Sequence, residues 1–311
     1  MSGNRDGGDS FQHLSEISRT LFGKRSYQGS DDFLKWAPRE GHLKILMAST
    51  QSGVGLSIIH SMRVETEFGH FVSFFNFVTD AKNSGQGVSH LARVRREKNF
   101  LIPAVADRNL WETYARLGAQ EIRFDWFRRW LMPRPNAFLI RRALAKKEIS
   151  INDKKNRIFL TNKLTDERLA RISELSMIPN VEFIKWRLSS KNDDRVFVFE
   201  TSDSHALVIG VFGRRKCVPV IRVICCFGPP TSVKALVDRA CHLGRSLGAT
   251  VCLLTVQPEH SDAFSRDSRY KLRHGIKTFF KQVDTGTRAF TGKWDGFMLC
   301  GDLGLNEQFG G

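Results

Sequence analysis

A four-residue phrase, Phe33-Leu34-Lys35-Trp36, returns 150 residues later as Phe183-Ile184-Lys185-Trp186. Repetition at a fixed offset constrains a fold more than local propensity does, because each copy must build the same unit. The segments downstream of the two copies also match. After the first come a strand-like run over 42–50, a small polar turn at Gln51-Ser52-Gly53 and a second run over 54–64. After the second come runs over 195–200 and 206–212 around Ser202-Asp203-Ser204. Apolar runs bounded by small polar residues read as hairpins. Each copy then supplies a third strand (71–78 and 218–227), a helix (88–98 and 232–247) and a further strand (100–106 and 250–256). In the second of these helices Val233, Leu236, Val237, Ala240, Leu243 and Leu247 fall at spacings of three and four. The order of elements predicts two α/β units in tandem.

The helices opening the units are expected over 11–22 and 162–176, the latter with Leu164, Leu169, Ile172 and Leu175 on one side. Pro133 and Pro135 close the first unit, since proline cannot continue a helix or a central strand. A basic helix over 137–147 comes next. The divisions are therefore a disordered N-terminus over 1–10, a first domain over 11–147 and a second over 148–311. The first ten residues are polar and glycine-rich with no apolar segment, unlike a signal peptide. With 311 residues, 41% of them hydrophobic, the chain can fill two cores. It contains no apolar run of membrane-spanning length, and a cytoplasmic location is expected.

Six cysteines lie in the second half without a C-x-x-C pair, which reads as buried reduced thiols and excludes a zinc ribbon. None of the nine histidines falls in an H-E-x-x-H pattern, so no metal is expected. No G-x-S-x-G elbow is present. The formal charge of +16 favours polyanions or phosphorylated ligands. Nucleic-acid binding rests on that charge alone, since no reader motif accompanies it. Trp111, Trp126, Phe127 and Trp130 are expected in the core or between the units.

Chemistry concentrates where the strand over 71–78 runs into a glycine turn, Lys82-Asn83-Ser84-Gly85-Gln86-Gly87, leading to Val88 and a helix. Glycine permits a close main-chain approach, and a helix start presents unpaired N–H groups to a phosphate. No Gly-Lys-Ser/Thr comes after it, so this is not a P-loop, and the dinucleotide fingerprint lacks its third glycine. The turn resembles that of the GNAT superfamily of acyl-CoA-dependent N-acyltransferases, Gln/Arg-x-x-Gly-x-Gly/Ala. Gly85 and Gly87 match, and Lys82 stands at the Gln/Arg position. The family's strand, Asn and helix ending Tyr-x-x-x-Gly-Phe is echoed by the strand over 100–106, Asn109, and Tyr114 with Gly118. Asn109 sits about two residues nearer the tyrosine than in the family, and Ala119 replaces the aromatic.

The resemblance implies two tandem units, each a mixed, mostly antiparallel sheet flanked by helices (α+β within the α/β class). It implies acetyl-CoA or another acyl-CoA as acyl donor. The pyrophosphate would lie on Lys82, Asn83, Ser84, Gly85, Gln86, Gly87 and Val88, with Asn109 also at the cofactor. The pantetheine arm would lie between the strands flanking the loop and helix, and a strand N–H near Phe77 or Val78 would polarise the thioester. Tyr114 is the implied acid; Glu65, Glu67 and Asp80 are candidate bases, with Glu67 chosen. Trp294-Asp295-Gly296 and Gly301-Asp302 are similar to the tail of GNAT-like proteins of polysaccharide modification, implying a small-molecule or polysaccharide-precursor acceptor. The second unit reads Gly228-Pro229-Pro230 at the matching point, which removes two donors and marks a degenerate copy. The alternatives are a non-catalytic tandem GNAT-like protein and a basic polyanion-binding protein.

Overall fold

The computed structural model describes residues 7–23, 26–49, 56–66, 69–79, 85–133, 156–160, 165–176, 180–189, 196–201, 205–215, 217–282, 299–300 and 305. The first half runs α1 (Gly7–Phe22), α2 (Asp31–Trp36), β1 (Leu43–Ser49), β2 (Leu56–Thr66), β3 (Gly69–Thr79), α3 (Gly85–Arg96), β4 (Phe100–Val105), α4 (Asn109–Arg116), β5 (Gln120–Ile122) and β6 (Asp125–Trp130). The second begins with an added strand, β7 (Asn156–Leu160), then α5 (Asp166–Ser176), α6 (Val181–Leu188), β8 (Val196–Thr201), β9 (Leu207–Arg215) and β10 (Val218–Phe227). It ends with α7 (Pro230–Ser246), β11 (Val251–Val256), α8 (Pro258–Ser265), β12 (Lys271–Arg273) and β13 (Lys277–Lys281). From α2 and α6 onward every element has its counterpart about 150 residues later. The duplication therefore extends through these helices and strands, with β7 as the addition.

The two sheets do not divide where the repeats do. The six-stranded sheet has the order β1-β2-β3-β4-β13-β5, and the seven-stranded sheet β12-β6-β11-β10-β9-β8-β7. Each unit thus sends its last strand into the other's sheet: β6 lies between β11 and β12, and β13 between β4 and β5. Only β3–β4 and β10–β11 are parallel, and all other described pairs are antiparallel. Equivalent side chains meet the exchanged strands alike. Tyr114 of α4 packs on Phe279 of β13 at 5.7 Å and 43°, and Phe264 of α8 on Phe127 of β6 at 5.8 Å and 40°.

The echoed tetrapeptides meet at the centre. Trp36 stacks on Trp186 with centroids 4.5 Å apart and planes 7° from parallel. Around them one core joins α2, α5 and α6 to the inner faces of both sheets, through Phe33, Ile172 and Phe183 with Phe71, Phe75, Val198 and Ile209. The N-caps of the two short helices match as well: Ser30 accepts from the Phe33 N–H and Asn180 from the Phe183 N–H. The outer faces carry separate cores, under α3 and α4 for the first sheet and under α7 and α8 for the second.

Several expectations are corrected. Residues 7–10, expected within the disordered lead, are helical and form the first turns of α1; Gly7 and Gly8 are tolerated because they stand at a helix start. The helix expected over 88–98 begins at Gly85, which places both loop glycines in its first turn. Trp130 is 63% exposed, because it ends β6 at the sheet margin, whereas Trp126 and Phe127 are buried. Cys217 is exposed in the β9–β10 turn at φ 67°, and the other five cysteines are buried. The helix over 137–147 and the Trp294-Asp295-Gly296 motif lie outside the described residues, as do Gly301 and Asp302. No helix among the described residues is long and apolar enough to cross a membrane.

Candidate functional site

The first unit opens where β3 leaves β4. The two strands pair only at Val72↔Phe100 and Ser73↔Leu101, and no later residue of β3 has a partner on β4. Within that unpaired stretch β3 bulges. Phe75 faces His60 and Val78 faces Ile58, so Asn76 and Phe77 share the single opposing residue Ile59. Asn76 takes φ 53°, a left-handed conformation that asparagine tolerates better than other non-glycine residues. A bulge re-aims the backbone and leaves its polar groups off the ladder.

The bulge is held from behind. Asn76 Nδ2 donates to the Tyr27 hydroxyl at 2.6 Å and lies 2.9 Å from His60 Nδ1, while Asn76 Oδ1 accepts from Gln28 at 3.2 Å. His60 is fully buried among Phe22, Phe33 and Phe75. Burial pushes its pKa down to about 3, so it is a neutral imidazole able to accept from Asn76.

Beyond the bulge, Asn76 to Thr79 are only half-buried. Thr79 Oγ1 has no hydrogen-bond partner among the described residues. His90 stands on α3 at 5.7 Å from Phe77, edge to face, and burial holds its pKa below the ordinary imidazole value. Buried polar atoms left this way are uncommon and mark places where a ligand can supply the missing bond. α3, the next element after β3, begins at Gly85, and the first N–H groups of a helix have no partner within the helix itself.

The second unit closes the same place. β10 stays paired with β11 for four residues, Val220 to Val223, and is buried from Val220 to Phe227, including its own bulge at Ile224. Gly228, at φ 108°, sits so close to the His205–Ala206 backbone that an added Cβ would lie 2.4 Å from the His205 carbonyl oxygen. Pro230 begins α7 and leaves no N–H there. Buried His260 lies 2.9 Å from the Gly228 carbonyl, and His205 lies 3.1 Å from the Ser232 hydroxyl. At this place the second unit differs from the first in burial, in the tight Gly228 and in Pro230.

Known structures share this architecture. A fungal GCN5-related glucosamine N-acetyltransferase region, part of a multi-domain β-N-acetylglucosaminidase, superposes with a TM-score of 0.57 at 13% identity over 90% of the chain. The chain spans only 37% of that protein. Saccharomyces cerevisiae N-myristoyltransferase with bound myristoyl-CoA gives a TM-score of 0.57 at 11% identity, covering 93% of this chain and 85% of that one. A GCN5-related N-acetyltransferase from Anabaena variabilis gives 0.51 at 8% identity, covering 88% and 70%. This is a tandem GNAT fold. No family model and no curated protein sequence matches the chain.

Within the GNAT fold the remaining candidates scatter. Tyr114 is 5% exposed, and burial, with the Asp107 charge adding to it, pushes its hydroxyl up to about 12. Gly118 ends its helix at φ 84°, donating to the Ala115 carbonyl, which gives the Tyr-x-x-x-Gly spacing its physical sense. Asn109 is exposed, and its N–H donates to Asp107 Oδ1 in a capping turn. Phe77 and Val78 stand in the slot at and after the bulge. Glu65 is exposed and paired with Arg63 at 3.0 Å, as a surface carboxylate. Glu67, Asp80, Lys82, Asn83 and Ser84 lie outside the described residues, and Gln86 and Val88 are placed only as backbone of α3. Among the described residues no group of three His, Cys, Asp or Glu side chains converges as metal ligands would.

Sequence reasoning missed Asn76, Tyr27, Gln28 and His60. One signal was available: Asn76 is a lone amide inside the apolar run Phe-Val-Ser-Phe-Phe-Asn-Phe-Val, where a strand has no use for it unless the backbone bends.

Proposed function

We propose that the protein is an acyl-CoA-dependent acyltransferase whose donor lies in the β3–β4 slot of the first unit. The observation carrying this reading is the pairing of an opened, half-exposed slot with a helix that begins on two glycines, while the homologous stretch of the second unit is buried. The α3 N-terminus suits a pyrophosphate, with Lys82, Asn83 and Ser84 before it. The freed backbone polar groups along the slot suit the amides of a pantetheine arm, and Thr79 Oγ1 offers a further partner.

At the bulge, a backbone N–H of Phe77 or Val78 aimed at the thioester oxygen would stabilise the charge that develops as an amine attacks. Tyr114 is the proposed proton donor to the departing thiolate, although burial raises its hydroxyl to about 12 and weakens it as an acid. Glu67 is the proposed acceptor of the amine proton. The acceptor class is an amine, or a hydroxyl, on a small molecule or polysaccharide precursor. Titration of acetyl-CoA and longer acyl-CoA thioesters by calorimetry tests the reading. Failure to bind any of them at millimolar concentration, with a folded sample, overturns it.

A non-catalytic GNAT-like protein is the second reading, favoured by the exposure of Asn109 and the ion pairing of Glu65. It predicts donor binding without turnover against a panel of amines.

A further inference from the structure

A second concavity lies at the other end of α3. Strand register places Lys44 beside Ser61 and Phe74, and Arg63 beside Val72, so these residues share the outer face of the first sheet. The helix covers that face around Ile59 and Phe74 but stops at Arg96. Past its end the face forms a cavity of about 510 Å³, floored by Leu46, Val72 and Phe74. Lys44 and Arg63 line it from the strands, Arg93 and Arg96 from the last turn of the helix.

The charge is one-sided. Glu97 is the only carboxylate among the lining residues. Arg63 is committed to Glu65, whereas Lys44, Arg93 and Arg96 have no ion pair among the described residues. Three cations without an ion pair among the described residues, around an apolar floor of ligand size, suit a dianionic head on an apolar body better than a single carboxylate. A polynucleotide would need a continuous cationic track, which Glu97 on the rim interrupts. The cavity is also remote from the start of α3, since a helix of 12 residues is about 18 Å long.

We propose that this cavity binds a small phosphorylated molecule with an apolar portion, its phosphate between Lys44, Arg93 and Arg96. This holds whether or not the slot binds acyl-CoA.

Phenyl phosphate, titrated calorimetrically into the full chain, is the probe. Saturable binding is expected, at least tenfold tighter than inorganic phosphate, with none for benzyl alcohol. Arg93→Gln with Arg96→Gln should weaken it at least tenfold, and so should Lys44→Gln, which leaves the helix intact. Arg116→Gln with Arg266→Gln, two exposed arginines elsewhere, should leave it unchanged. Absence of binding, equal loss in the control variant, or persistence in both cavity variants would overturn the proposal. Displacement by coenzyme A would also overturn it, by assigning the cavity to the acyl donor. Tighter binding of a short RNA than of phenyl phosphate, lost in the same variants, would replace it with a nucleic-acid surface.

Discussion

The two units share an order of elements and a central tryptophan pair, yet they differ where the third strand of each parts from the next. In the first, β3 leaves β4 after two paired residues and its end is half-buried; in the second, β10 stays on β11 for four and is buried to its last residue. The helices after these strands start on Gly85 and on Pro230. The aromatic on the exchanged strand meets Tyr114 in one and Phe264 in the other, so the hydroxyl survives only in the first. A duplicated unit can keep its packing while this junction changes, because the core depends on volume and the junction on a few pairings, a glycine and a proline.

That contrast can be broken at several points. Gly85→Val with Gly87→Val should weaken acetyl-CoA binding by at least ~1,000-fold with little change in melting, since the added side chains obstruct the helix start. Pro229→Gly with Pro230→Gly should create no second site, because Gly228 and His260 still close it. A second binding event in calorimetry would show that proline alone had closed that unit. Tyr114→Phe makes the first unit resemble the second, and should cut turnover by roughly 100- to 1,000-fold with KM nearly unchanged. Trp36→Ala and Trp186→Ala should each cost about 3–5 kcal/mol in denaturant unfolding, the loss expected of a buried aromatic. Unequal costs would show that the stacked pair is not shared evenly.

Asn76→Leu should cost about 2–3 kcal/mol, from lost hydrogen bonds and a strained φ, while Asn76→Gly should recover part of it. The smallest effect concerns pH. His60 is neutral when folded and takes up a proton near the ordinary value of about 6.5 when unfolded. Its folded pKa is depressed, so its contribution is complete above that value and is lost as pH falls toward 3. Stability should fall by about 1 kcal/mol per unit between pH 6 and 4, His90 acting in the same direction, and His60→Gln should flatten the slope.

The alternation of strand runs and helices is legible in the sequence because each buried or half-buried element must advertise its period, and the 150-residue echo fixes the tandem arrangement. The exchange of β6 and β13 is not legible. An antiparallel strand satisfies the same alternation in either sheet, and nothing local in Asp-Trp-Phe-Arg-Arg-Trp says which neighbour it joins. At the site, Gly85, Gly87, Tyr114 and Gly118 are visible because their spacing serves backbone geometry. The network behind Asn76 is not, since Tyr27 and Gln28 reach the bulge from 49 and 48 residues away.

The exchanged strands also impose an order in time. Every residue proposed for the acyl site has been synthesised once the chain reaches Tyr114, yet β4 borders β13, whose residues 277–281 are made much later. A ribosome-bound chain that has completed the first repeat therefore exposes an unfinished edge at β4 and a stray β6. β4, one wall of the slot, gains its outer neighbour only when the second repeat has folded and returned its last strand.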